Sequence, residues 1–264
     1  MPVPSTARLH DFTVLSNIEI ASDIYAMTII APALARSIRP GQFVNIEVPG
    51  NPASILRVPL SYAGADPEGG TVTIWYAVVG EGTERLSRMC GGDSSTLVGP
   101  AGHGWTAPSG CGRALLVAGG IGVPPVLCLA RELVRESVPF DVCIGAATWE
   151  KLVGESEFRE LGAVEVVICT DDGSYGRAGF CTEAAGELLA RGGYGYVATC
   201  GPAVMMHKVA DLSAAAGVPC EASLERMMSC GFGACGTCAV KTVDGMKGAC
   251  MAGPVFDASK VVDW

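Results

Sequence analysis

The sequence predicts a multidomain chain of β plus α/β class: an N-terminal antiparallel β-barrel, a central Rossmann-like parallel sheet with flanking helices, and a small C-terminal domain. Three observations predict it. Residues 1–108 hold short runs rich in β-branched and aromatic residues, separated by Pro, Gly, Asn and Asp. Residues 109–217 alternate strand-like and helix-like patterns, which argues for a parallel sheet covered by helices. Residues 218–264 hold four closely spaced cysteines among glycines.

In the first unit the strand candidates are TVLSNIEI, IYAMTII, FVNIEV and TVTIWYAVV. Several short strands with turn signals between them suit a small barrel or sandwich. The texture changes at Pro108-Ser109-Gly110. ALLVAGGIGVPPVLCLARELVRE then reads as strand, glycine turn and helix. FDVCIGAAT, VEVVICT and YVATCG follow as strands, and EFRELG, CTEAAGELLARG and AVMMHKVADLSAAAG as helices.

Two turns in this unit are candidate nucleotide sites. Gly119, Gly120 and Gly122 close the first strand ahead of Pro124-Pro125 and a helix. Glycine lets a ligand approach the backbone, and a helix N-terminus offers free N–H groups to phosphate. GGIGVPP is not the G-x-G-x-x-G fingerprint, so a plain strand–turn–helix is the competing reading. Cys200, Gly201 and Pro202 close a later strand and should reach the same carboxyl edge, where open α/β sheets bind ligands. The polar loop TDDGSYGRAGF lies beside that edge and is given no role.

Composition excludes several classes. The net charge is −9 and no basic run exists, so the cationic footprint of a nucleic-acid partner is missing. No apolar run reaches membrane-spanning length. MPVPSTARLHDF lacks an apolar signal core, so a cytoplasmic location is expected. Of twelve cysteines, eight are scattered, most of them in apolar surroundings where a free thiol acts as a small hydrophobe. His10, His103 and His207 form no catalytic constellation, and no catalytic side chain is expected.

Cys230, Cys235, Cys238 and Cys250 are the metal-ligand candidates, spaced C-x4-C-x2-C-x11-C. That is the spacing of plant-type [2Fe–2S] ferredoxins. Gly231, Gly233 and Gly236 lie between the first three, as a loop wrapped around an inorganic cluster needs. Structural zinc held by four thiolates is the alternative, although zinc sites favour two C-x2-C-like pairs. The third unit is therefore expected to be a small C-terminal [2Fe–2S] domain.

Over nearly its whole length the chain resembles the electron-transfer subunit of type B dihydroorotate dehydrogenase, within the ferredoxin reductase-like superfamily. The resemblance rests on RVPLS at Arg57–Ser61, GEGT at Gly80–Thr83, GPAGHG at Gly99–Gly104, GGIGVPP at Gly119–Pro125, TDDGSYG at Thr170–Gly176 and CGPAVMM at Cys200–Met206. Its most specific part is SLERMMSCGFGACGTC at Ser223–Cys238, with the tail CMAGPVFDASKVV. It implies FAD on the barrel, NAD(H) on the α/β domain and a [2Fe–2S] cluster at the C-terminus. It also implies an FMN-containing dihydroorotate dehydrogenase catalytic subunit as partner, two of each subunit, in pyrimidine biosynthesis.

By family position the FAD contacts fall at Val58, Pro59, Leu60 and Ser61, at Trp75, Tyr76 and Ala77, and at Gly82 and Thr83. The family usually has arginines where Val58 and Ala77 stand, so two cationic partners for the pyrophosphate are missing; Arg57 or Arg85 are the candidates to compensate. One alternative keeps the cofactors and changes the partner, as in ferredoxin:NADP oxidoreductases or NAD(P)-linked hydrogenases. Another, from a different class, is a zinc-stabilised binding module with a lapsed nucleotide fold.

Overall fold

The computed structural model of the protein describes residues 7–50, 56–106 and 110–264. In the N-terminal unit, β1 (Arg8–Ala21), β2 (Ile24–Ile30), β3 (Phe43–Ile46), β4 (Val58–Ser61), β5 (Gly64–Asp66), β6 (Thr71–Ala77) and β7 (Ser94–Ala101) make one antiparallel sheet. Its order is β4-β3-β7-β1-β2-β6-β5. The sheet curls into a half-barrel around Met27, Ile29, Val44, Ile46, Val72, Ile74, Tyr76 and Leu97, the alternate residues that face inward. Two short helices, α1 (Pro32–Ser37) and α2 (Glu81–Ser87), add Leu34 and Leu86 to this core; the strand pattern of the sequence did not disclose them. β1 is longer than its strand-like run, and register shifts at Val14/Ser16 and Glu19/Ala21 let it bend around the core.

The second sheet is built from β8 (Ala114–Gly119), β9 (Phe140–Ala146), β10 (Val166–Thr170), β11 (Arg177–Ala178), β12 (Tyr196–Cys200), β13 (Cys220–Ser223) and, late in the chain, β16 (Val255–Asp257). The order is β11-β10-β9-β8-β12-β13-β16, parallel except for β16. Both faces are covered, so the strands are near-continuous apolar runs. Leu116 and Ala118 face α3 (Val123–Arg135) and α4 (Glu155–Glu160). Leu115 and Val117 face α5 (Cys181–Arg191) and α6 (Ala203–Ala215).

The remaining segment forms a hairpin, β14 (Ala239–Thr242) and β15 (Gly245–Gly248), followed by α7 (Ala249–Ala252). The expected division at 217/218 falls just before β13, which pairs inside the parallel sheet, and β16 adds to that sheet's edge. These strands are three or four residues long, too short for periodicity to reveal their sheet. The division at 108/109 lies outside the described residues.

Polar contacts lock the units together. The Trp105 indole donates to Pro125 O at 2.9 Å. Glu221 on β13 accepts from Thr106 N at 2.9 Å and from Tyr196 OH at 2.5 Å. Within the α/β unit, the fully buried Asp141 carboxylate receives Arg113 at 2.5 Å and the Tyr194 hydroxyl. Burial, then the neighbouring carboxylate, push the Tyr194 phenol up from its ordinary range. Asp141→Ala would strand two donors; we expect it to lower unfolding free energy by about 2–4 kcal/mol, read from urea denaturation. A loss below about 0.5 kcal/mol would mean that solvent already satisfies this group.

Candidate functional site

The two glycine turns meet. β8 and β12 are adjacent parallel strands with Ala118 opposite Cys200. The chain leaves β8 for β9 on one side while β12 lies on the other, so the sheet has its topological switch point here. Contact is backbone to backbone. A Cβ on Gly122 would stand 2.2 Å from Cys200 O, and one on Gly201 3.0 Å from Gly119 Cα. A Cβ on Gly119 would meet Pro202 Cδ at 2.9 Å. Gly120 has φ +52° with nothing within 4 Å of where a Cβ would be, leaving an open approach to the backbone. All six residues named from the sequence as nucleotide candidates are thus brought to one crevice. The Thr170–Gly176 loop follows β10, two strands along the same sheet from β8, and there Ser174 Oγ accepts from Trp149 N at 2.8 Å.

On the half-barrel, Val58, Pro59, Leu60 and Ser61 form β4, a half-buried edge strand. Gly82 at the start of α2 packs on β4, since a Cβ there would touch Val58 Cγ2 at 2.8 Å. The Thr83 hydroxyl is spent inside the turn: it accepts from Val79 N at 2.9 Å and Gly80 N at 3.2 Å and donates to Gly80 O at 3.0 Å. It leaves the backbone, not the side chain, to meet a ligand. On β6, Trp75 and Ala77 turn toward the α/β unit, and Trp75 joins Trp149 and Gly154 in lining a cavity of about 380 Å³. Tyr76 points the opposite way, buried in the barrel core with its hydroxyl donating to Asn17 Oδ1 at 3.0 Å. Strand alternation explains the split.

Both candidate replacement arginines are engaged elsewhere. Arg57 donates to Thr96 O at 2.9 Å and Thr96 Oγ1 at 2.8 Å and pairs with Glu47 at 3.3 Å. Arg85 pairs with Glu81 at 2.9 Å and reaches Gly50 O at 3.2 Å. Neither guanidinium beside β4 and the close-packed turn at Gly82 is thus unengaged.

The cysteines form two pairs. The Cys235 thiol lies beside Cys230, and the Cys238 and Cys250 thiols lie side by side, 3.8 and 4.0 Å from where a Cβ on Gly248 would stand. Ala234 N donates to Cys230 Sγ at 3.3 Å and Cys250 N to Cys238 Sγ at 3.4 Å. Hydrogen bonds from Thr237, then from Cys230, hold the exposed Cys235 thiol down at about 6. Burial, then Cys238, push Cys250 up to about 12. Gly231, Gly233 and Gly236 have φ of +72°, +89° and +74°, the left-handed region that glycine adopts without strain. Among the described residues, no three His, Cys, Asp or Glu side chains gather in the geometry of a single metal ion. Two thiol pairs suit a two-iron cluster, in which each tetrahedral iron shares two sulfides and takes two thiolates.

The pairs are seated on the half-barrel. β3 sends Val44 and Ile46 into the barrel core and Phe43 into the cluster of residues that holds Cys238, Val240, Ala249 and Cys250. Asn45 lies beside Phe43 on this outer face, 3% exposed, and a Cβ on Gly231 would be 2.4 Å from its Nδ2. In the antiparallel register Phe43 stands opposite Ser61, and Asn45 opposite Pro59. Sequence reasoning did not single out Asn45; within FVNIEV it reads as an ordinary alternating polar residue. The histidines are used structurally: His10 Nε2 contacts Gly99 O at 3.0 Å, His103 bridges to Pro254, and His207 stacks on Trp264.

The family model for the iron–sulfur cluster binding domain of dihydroorotate dehydrogenase B matches residues 225–262. The dihydroorotate dehydrogenase B (NAD(+)) electron transfer subunit of Geobacillus thermodenitrificans is 40% identical over 259 residues, covering 95% of this chain and 97% of that one. The corresponding subunit of Desulforamulus reducens is 36% identical over 260 residues, 97% and 99% of the two chains. Among solved structures, one of an NADH-dependent reduced ferredoxin-NADP oxidoreductase, described for flavin-based electron bifurcation, superposes with a TM-score of 0.87 at 31% identity, over 96% of this chain and 89% of that one. With its half-barrel, switch-point crevice and cysteine segment, and with such identity over nearly its full length, the chain belongs to the family of electron transfer subunits of dihydroorotate dehydrogenase B (NAD(+)) and has the ferredoxin reductase-like fold.

Proposed function

We propose that this chain carries electrons between NAD(H) and the FMN of a dihydroorotate dehydrogenase catalytic subunit, through FAD and a [2Fe–2S] cluster, and that it serves pyrimidine biosynthesis in the cytoplasm. One observation carries the reading: the two cysteine pairs rest on the outer face of β3, and β3 pairs with β4, the strand assigned to FAD. Among the described residues no helix is long and apolar enough to cross a membrane.

The roles follow from chemistry and position. Residues 1–108 hold FAD along Val58, Pro59, Leu60 and Ser61, with Gly82 and Thr83 offering backbone to the pyrophosphate and Trp75, Tyr76 and Ala77 forming the neighbouring strand. Residues 109–217 bind NAD(H), with Gly119, Gly120, Gly122, Cys200, Gly201 and Pro202 allowing the nucleotide close to the backbone. Residues 218–264 would hold the cluster through the thiolates of Cys230, Cys235, Cys238 and Cys250. Bound FAD supplies the exchange between two-electron hydride chemistry and one-electron transfer. The protein contributes placement: N–H groups aimed at sulfur, glycines that allow contact, and no side chain acting as general base.

The partner is an FMN-containing catalytic subunit, in a complex of two of each. Its docking surface is the segment around Cys235, which is exposed beside Phe232, at 51%, and near Met227, at 82%. The likeness to the NADH-dependent ferredoxin-NADP oxidoreductase structure supports a second reading with the same cofactors and a different partner. Co-purification with tagged chain separates them: a dihydroorotate-oxidising flavoprotein supports the first, a ferredoxin-linked one the second.

Three outcomes are expected. Cys235→Ser leaves NADH-dependent bleaching of the flavin at the wild-type rate and abolishes electron delivery to the catalytic subunit in stopped-flow assays; full-rate delivery would remove the cluster from the path. Phe232→Asp weakens association with the catalytic subunit by about tenfold, measured by calorimetry, as expected for one apolar anchor near the centre of an interface. Gly122→Ala forces the two turns apart and raises the KM for NADH at least about tenfold, since misplacement of roughly 1 Å costs that much or more; an unchanged KM would place the nucleotide elsewhere.

A further inference from the structure

The most informative group outside the roles already assigned is Asn45. It is a polar side chain only 3% exposed, on a strand whose other inward and outward neighbours, Val44, Ile46 and Phe43, are apolar. Its Nδ2 is fully buried and has no hydrogen-bond partner among the described residues. Natural structures rarely leave a buried donor unpaired, so Nδ2 calls for an acceptor that the described residues do not supply.

Its surroundings narrow the acceptor. The carboxamide is pressed against Gly231, the residue after Cys230: a Cβ there would lie 2.4 Å from Nδ2, 2.7 Å from Cγ and 2.8 Å from Oδ1. Gly231 also has φ +72°, so both space and backbone torsion favour glycine at this point. Cys230 Sγ already receives one N–H, from Ala234 at 3.3 Å, and belongs to the more exposed of the two thiol pairs. A cysteine that ligates iron does so as thiolate, an acceptor that can take further donors.

We propose that the Asn45 carboxamide donates a hydrogen bond from Nδ2 to cluster sulfur at the Cys230 end, and so raises the reduction potential of the cluster from across the barrel interface. The proposal rests on the reading of the cysteines as [2Fe–2S] ligands. Its physical content is the response of a donor to charge. The reduced cluster carries one more negative charge than the oxidised one, so an N–H aimed at sulfur favours the reduced form. Because β3 also pairs with the flavin strand, with Asn45 opposite Pro59, this one side chain ties the cluster's redox poise to docking of the cysteine segment on the barrel.

The test is an EPR-monitored redox titration of the full chain in complex with its catalytic subunit. Asn45→Leu keeps the volume and removes the donor; at the wild-type midpoint its reduced-to-oxidised ratio should fall roughly tenfold, with iron and acid-labile sulfide unchanged. Asn45→Asp, which keeps the shape and can add negative charge, should fall at least as far. A second measurement needs no variant: pulsed EPR of wild-type protein carrying asparagine labelled with ¹⁵N at the side-chain amide should show nitrogen coupling to the reduced cluster. Asn17 donates its amide to Leu86 O at 2.9 Å and Met89 O at 3.0 Å in the barrel, and loss of the coupling in Asn45→Leu separates Asn45 from the third asparagine, Asn51. Wild-type midpoints in both variants, or no coupling, overturn the proposal and leave the cluster assignment standing. Absence of any iron–sulfur signal from wild-type protein overturns both.

Discussion

Everything functional in this molecule depends on β3 having two usable faces. Four residues long, it packs Val44 and Ile46 into the half-barrel, lays Phe43 against the residues around Cys238 and Cys250, and pairs along one edge with β4. An ordinary barrel strand faces water on one side. Here the outer side is buried by the cysteine segment, so the strand assigned to flavin and the loop assigned to iron share a wall. Core packing, not a flexible tether, then fixes the separation of two redox groups that must exchange electrons.

The other close approach lies at the turns assigned to the nucleotide and uses a different device. Where β8 and β12 end, Gly119, Gly122 and Gly201 bring two turns together at distances no side chain would permit. The parallel sheet brings these turns together by topology, because its strand order reverses direction there. The parallel sheet also receives β13 and β16 from the segment that carries the cysteines, so cluster loop, nucleotide crevice and barrel are braced against one another. Glu221 on β13, tied to Tyr196 and Thr106, is part of that bracing.

Much of this was legible in the residues. The strand–helix alternation from Ala114 to Ala215 is nearly the observed order, because buried parallel strands are apolar throughout and surface helices are amphipathic. The cysteine spacing and its glycines pointed to a cluster loop, and the loop has the left-handed turns that reading required. What escaped is long-range or inward. β16 is three residues that find a strand more than thirty residues earlier, and no local pattern encodes that. Arg57 and Arg85 looked free to meet a pyrophosphate; the contacts of Arg57 with Thr96 and of Arg85 with Gly50 depend on neighbours remote in sequence, while Arg85–Glu81 is a local pair one helical turn apart. Asn45 looked like one more polar residue in an alternating strand, and only the docking of Gly231 makes it a buried donor.

The central claim is that four thiolates hold a two-iron cluster against a flavin-bearing half-barrel. The most direct measurement is the metal and sulfide content of the complex, purified without oxygen together with its catalytic subunit. The account predicts about two irons and two acid-labile sulfides per chain, the composition of a [2Fe–2S] centre. One zinc per chain, or neither iron nor labile sulfide, would contradict it.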